Sequence, residues 1–364
     1  MTRLLALAWG LVLAGLVAAA PAPKAPPAPP DVAELFEDDA DAFVPLLSLG
    51  GEARDGGGKI AAETTDVFAG KAAVRVSPFQ RFHHEIKGWK FRVAEEPRAG
   101  EYRYIRFAWK KEGKGPLMLQ VCTLLPGRPW FRYYAGKGEP PWPAKVLGEA
   151  APADWRVVTR DLYADFGAFD LVGLGLSPLS DGDGLFDHLI VGRTVADLDR
   201  ATATALLKDK PKPLAAGRLR QLWLDLGSPD PVIADTAVWA LVAGRDDAVP
   251  YLVKTVTLPD KKPAPVDEAR VTPLIEQLGH ERDAIREAAT KDLLKLGDGA
   301  LPHLRKARAA ADGPARARIQ AVLDRRDAQA PPDEHRLRRS RTVLRSADTA
   351  EARELLGKIE KALP

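Results

Sequence analysis

Between residues 73 and 194, apolar and polar side chains alternate with period two in short runs, each bounded by Gly or Pro. That is the pattern of half-buried strands. The clearest run spans residues 101–109, where Ile105, Phe107 and Trp109 share one face and Tyr102 and Tyr104 the other. Similar runs at 73–77, 84–93, 117–123, 130–135, 155–161, 171–177 and 185–194 bring the total to about eight strands. No helical segment separates them, so the spacing predicts a jelly-roll-type β-sandwich rather than a parallel α/β sheet.

After residue 205 the period lengthens to that of amphipathic helices, with segments predicted at 214–226, 268–278, 316–326, 334–345 and 350–363. Two stretches echo each other about 52 residues apart. Residues 230–244 and 283–297 each form an Ala/Leu-rich helix closed by Gly, followed by Ala-x-Pro-x-Leu at 248–252 and 300–304. Gly suits the left-handed residue that ends a helix, and Pro suits the first turn of the next. A lone helix pair cannot bury its apolar face, so stacked pairs are expected.

The chain therefore divides into a signal peptide (1–19), a Pro-rich linker with an acidic segment (20–49), a sandwich (50–200), a linker (201–213) and a helical repeat domain (214–364). Arg3, the apolar run 4–17 and the small residues at 17–19 have the order of an export signal. Export to the periplasm or outside the cell is expected, with no membrane span after cleavage. Residues 31–41 are acidic and read as a short helix. Cys122 is the only cysteine, so no internal disulfide forms, and it reads as a small buried hydrophobe.

A formal charge of +3 argues against a chain-wide polyanion partner. From residue 301 onward, 15 Lys and Arg face 9 Asp and Glu, but no aromatics are interleaved with them, so nucleic-acid binding is not expected. In residues 334–345, Leu337, Val343 and Leu344 are expected to point inward, with the arginines in water.

The strings "DAIREAATKDLLKLGDGALPHLRKA", "SPDPVIADTAVWALVAGRDDAVPYL" and "EHRLRRSRTVLRSADTAEARELLGKI" resemble a HEAT-type repeat module of exported planctomycete proteins. Likewise, "YRYIRFAWKKEGKGPLMLQV" and "WRVVTRDLYADFGAFDLVGLGLSPLSDGDGLFDHLIVGRT" are similar to galactose-binding-like sandwiches of the same bacteria. The resemblance implies a binding or architectural protein. It transfers no catalytic residue.

Trp130, Tyr133, Tyr134 and Trp142 lie in or beside the loop-flanked segment 126–143, where rings can stack on the C–H face of a sugar while Arg128 and Arg132 reach hydroxyls. Asp181, Asp183 and Asp187 sit in a Gly-rich turn, an oxygen-rich setting that suits calcium, the one cofactor left open. No P-loop, dinucleotide glycine pattern, zinc spacing or nucleophile elbow occurs. The expectation is a non-enzymatic binding protein, its sandwich holding a glycan or envelope ligand and its helical repeats docking a protein partner. The alternatives are a carbohydrate-active hydrolase or its accessory module, which needs two carboxylates across a cleft, and a purely structural envelope protein.

Overall fold

The computed structural model describes residues 30–48, 57–127, 129–259 and 266–363. The expected signal peptide and nearly all of the Pro-rich spacer lie outside these residues. Strand β1 (Val32–Phe36) and helix α1 (Ala40–Ser48) come first, followed by β2 (Ile60–Glu63), β3 (Ala73–Val76), β4 (Arg81–His83), β5 (Phe91–Val93) and β6 (Glu101–Tyr102). The long strands β7 (Tyr104–Lys111), β8 (Leu117–Thr123) and β9 (Trp130–Ala135) precede β10 (Lys145–Gly148) and β11 (Arg156–Asp161). A short helix α2 (Leu162–Phe166) leads to β12 (Phe169–Pro178) and β13 (Gly184–Gly192).

These strands form two facing sheets. The first runs β11-β7-β13-β3-β2, with β1 also on β13; the second runs β10-β9-β8-β12-β5-β6, with β4 also on β12. All pairings are antiparallel except β9–β10 and β5–β6. Inward residues from both sheets, among them Phe107, Trp109, Phe186, Leu119, Phe131, Tyr133 and Leu174, make one core. Each such large side chain contributes roughly 1.5–3 kcal/mol through removal from water.

The acidic segment expected as a short helix begins instead as β1, because Leu35 and Phe36 bury their side chains while the backbone completes the edge of β13. Helix α1 follows it, with Phe43 and Leu47 under the sandwich, so the fold starts well before residue 50. The 101–109 run is also split at Arg103: Tyr102 belongs to the second sheet and Tyr104 to the first.

The helical part follows directly. Helix α3 (Val195–Lys208) opens on a capping box of Thr194 and Asp197 and occupies residues expected as linker. Then come α4 (Ala216–Asp225), α5 (Pro231–Ala243), α6 (Arg245–Thr255), α7 (Glu268–Gln277), α8 (Asp283–Lys295), α9 (Leu301–Ala310), α10 (Gly313–Ala328), α11 (Pro332–Ala347) and α12 (Ala350–Ala362). Both echoed stretches are helix pairs, α5–α6 broken at Gly244 and α8–α9 at Gly297, where φ is +62°. In the first copy the second helix starts early, at Arg245, which leaves Pro250 inside it.

The two copies sit in different cores. Helices α4, α5, α6, α11 and α12 share one apolar cluster, and α7 to α10 form another around Val271, Leu293, Leu304 and Ile319. The arginines of α11 are not all in water. Arg336 donates to Trp223 O, and Arg339 donates to Leu226 O and Ser228 O, covering the carbonyls that end α4.

Helices α3 and α5 cover the outer face of the first sheet, so Ala108 and Val157 join the same apolar cluster as Trp239 and Val242. Arg106 is fully buried there, donating to Asp199, Thr202 and Thr159. Among the described residues, no helix packs closely on β8, β9 or β12 at the outer face of the second sheet.

Candidate functional site

The turn expected to attract calcium is already filled by a side chain. Lys111, at the end of β7 and almost fully buried, donates through Nζ to the carbonyls of Glu112 (3.0 Å), Gly182 (2.5 Å) and Asp181. An ammonium thus occupies the oxygen-rich cage that the Asp/Gly pattern advertised. The three carboxylates do not converge. Asp183 pairs with Arg75 at 3.3 Å, Asp181 faces solvent, and Asp187 is buried, accepting from the N–H groups of Phe68, Ala69 and His188. Burial pushes the Asp187 carboxyl well above its ordinary value. Among the described residues, no three His, Cys, Asp or Glu side chains stand together as a metal site.

The aromatic candidates separate by strand parity. Alternation along β9 sends Phe131 and Tyr133 into the core and Trp130, Arg132 and Tyr134 to the outer face. Tyr133 is fully buried with its hydroxyl on Asp165 at 2.9 Å, and burial raises its value further. Tyr134 does lie outward, but Met118, Leu179 and Ala144 close over it. Neither tyrosine offers a ring to a ligand. Arg128 lies outside the described residues.

Trp130, Arg132 and Trp142 do come together, and they gain neighbours. The rings of Phe82, His84 and Trp130 meet edge-on, with centroids 5.1 Å (Phe82–His84), 5.2 Å (His84–Trp130) and 5.6 Å (Phe82–Trp130) apart. They reach one another across β8 and β12 because Gly173 and Gly175 of β12 carry no side chain. A Cβ on Gly175 would stand 3.1 Å from Phe82 Cβ and 3.0 Å from Gln120 Nε2. Trp142, 41% exposed, lies over the Arg132 guanidinium at 5.3 Å.

A polar seam runs beneath this group. Gln120 Nε2 donates to Gln80 Oε1 (3.0 Å) and Ser177 Oγ (2.9 Å), while Gln120 Oε1 accepts from Arg132 Nε (2.7 Å). With its amide committed on both sides, Gln120 fixes the Arg132 side chain. Burial holds Arg132 below its ordinary value. Cys122 opposite Trp130 is pushed up to about 11, first by burial, which leaves an unreactive thiol.

Beside the rings, a cleft of about 600 Å³ is lined by Trp130, Phe131, Arg132, Pro143, Lys145 and Phe166, among others. Among the described residues, no carboxylate lines it. The arrangement offers ring faces, an oriented guanidinium and an ammonium, which is binding chemistry. Phe82, His84, Gln80, Gln120 and Ser177 were absent from the sequence-based candidates because their role depends on cross-strand register.

No protein-family model matches the chain, and no curated protein matches it either. Among solved structures, it is similar to the family 30 carbohydrate-binding module of a cellulosomal cellulase of Clostridium thermocellum, at 12% identity and a TM-score of 0.25, covering 36% of this chain and 80% of that one. A family 11 module from the same organism, in complex with a β-1,3-1,4-mixed-linked tetrasaccharide, matches at 9% and 0.23, covering 37% and 83%. A xylan-binding family 22 domain matches at 12% and 0.21, covering 39% and 89%. No residue role is carried over from them.

Proposed function

We propose that this protein is a non-enzymatic carbohydrate-binding protein that uses the outer face of its second sheet. The observation that carries the reading is the solvent-facing ring group of Phe82, His84 and Trp130, set beside Trp142, Arg132 and the ring-lined cleft. Aromatic faces pack on sugar C–H groups, and the guanidinium and ammonium supply hydrogen bonds to oxygens. Among the described residues, the lining of the cleft holds no pair of opposed carboxylates, which glycoside hydrolysis requires.

Two further parts of the proposal rest on the sequence alone. Export is supported by the order of residues 1–19, and docking of a protein partner by the likeness of the helical half to HEAT-type repeats.

Affinity electrophoresis of the full chain through gels containing soluble polysaccharides tests the reading. At least one polymer retards the wild-type protein, and Trp130→Ala weakens that retardation by about tenfold, the loss expected of a central aromatic contact. Unchanged migration of the wild type in every polymer defeats the proposal.

A further inference from the structure

We propose that the carbohydrate taken by this face is acidic, with a sugar carboxylate seated on Arg132. This rests on the carbohydrate reading above and adds the charge of the ligand to it. Four other arginines of the sandwich, buried or partly buried, are matched by acids: Arg75 by Glu63 and Glu112, Arg103 by Asp161, Arg160 by Asp165, and Arg106 by Asp199. Arg132 differs from these four. It is partly buried, its Nε is given to Gln120, its plane is covered by Trp142, and no carboxylate among the described residues pairs with it.

That leaves Nη1 and Nη2 without a protein partner among the described residues, at the wall of the cleft. A guanidinium edge of this kind presents two parallel N–H donors, the geometry that a carboxylate accepts in bidentate fashion. A neutral sugar would leave the partly desolvated charge uncompensated, whereas a uronate would neutralise it.

The surroundings agree in sign. Among the described residues, Lys145 is the other charged residue lining the cleft, and its 3.8 Å pair with Asp165 is long, so a second cation faces an acidic chain. The exposed Glu85 follows His84 in the chain and acts on Cys122. The acidic unit therefore sits toward Arg132 and Lys145, while the rings of Trp130, His84 and Phe82 take neighbouring units.

The experiment is calorimetric titration of the full chain with polygalacturonate, alginate and glucuronoxylan, each beside its own carboxyl-reduced form. At least one acidic polymer binds about tenfold or more tightly than its reduced form, the worth of a charge-assisted pair of hydrogen bonds. Arg132→Gln abolishes that preference, so that the acidic polymer and its reduced form bind this variant equally. Arg132→Lys restores only part of it, because an ammonium lacks the fork. Near-ultraviolet circular dichroism and the unfolding midpoint of each variant confirm that it is folded.

Equal binding of every acidic polymer and its reduced form by the wild type overturns the proposal, as does a preference that survives in Arg132→Gln. Those outcomes leave the carbohydrate reading standing. Failure of all polymers to bind, neutral ones included, overturns both.

Discussion

The guanidinium of Arg106, on β7, lies 4.8 Å over the indole ring of Trp239, on α5. Through this contact and its bonds to Asp199 and Thr202, a charge buried in the first sheet is held by two helices. Asp235 of α5 is also partly buried there; burial raises its value and Arg106 draws it back down. Arg106→Met is expected to lower stability by about 2–3 kcal/mol, because it leaves the partly buried Asp199 and Asp235 without their cation. Denaturant unfolding checks this, and Asp235→Asn added to Arg106→Met recovers part of the loss.

Lys111 supports a second prediction. Lys111→Met strips the carbonyls of Glu112, Asp181 and Gly182 of their donor and costs about 2–4 kcal/mol. Since the ammonium already fills the cage, millimolar calcium leaves the thermal midpoint of the wild type unchanged. A calcium-dependent rise of several degrees would contradict this account of the turn.

Glu63 fixes part of the response to acid. Hydrogen bonds from Thr65, and then from Arg75, lower its carboxyl from 4.5 to about 2. A folded-state value below the unfolded one stabilises the fold above pH 4.5, and that contribution disappears as pH falls through the folded value. Glu63→Gln is therefore expected to flatten this portion of the stability profile between pH 4.5 and 2, measured by urea unfolding.

Gly175 governs the ring group without touching a ligand itself. Gly175→Val places its side chain against Phe82 and Gln120, which displaces the ring and loosens the support of Arg132. Carbohydrate retardation should fall several-fold while stability drops by only about 1–2 kcal/mol, in the range of a local packing clash. Undiminished binding would remove Phe82 from the site.

Much of the architecture was legible because local pattern and tertiary role agreed. Strands β7, β8, β9, β12 and β13 and helices α4 to α12 fall where periodicity, Gly and Pro place them. Segments whose burial depends on distant partners were not legible. Val32–Phe36 looks acidic, yet it becomes a strand because β13 offers an edge. Residues 201–208 look like linker, yet α3 is held by the sheet beneath it. For the site, alternation along β9 already separates Tyr133 from Trp130. The grouping of Phe82, His84 and Gln120 with Trp130 needs a register that no single strand encodes, and the Asp/Gly turn concealed a lysine 70 residues upstream of Asp181.

The return of α11 and α12 onto the core of α5 and α6 makes α7 to α10 an excursion from a helical body that closes without them. Thr255, where the excursion leaves, and Pro331, where it returns, line the same groove. A unit whose two ends emerge side by side behaves as a cassette: it can be lengthened, shortened or exchanged between molecules without cutting the host core. The C-terminal helix has no such freedom, since it is a wall of the host. Loss of the last turns would thus remove Ile359 and Leu363 from the cluster that Ala108 and Val157 of the sandwich share, while loss of the middle would take from the sandwich the exposed Arg316–Glu96 pair.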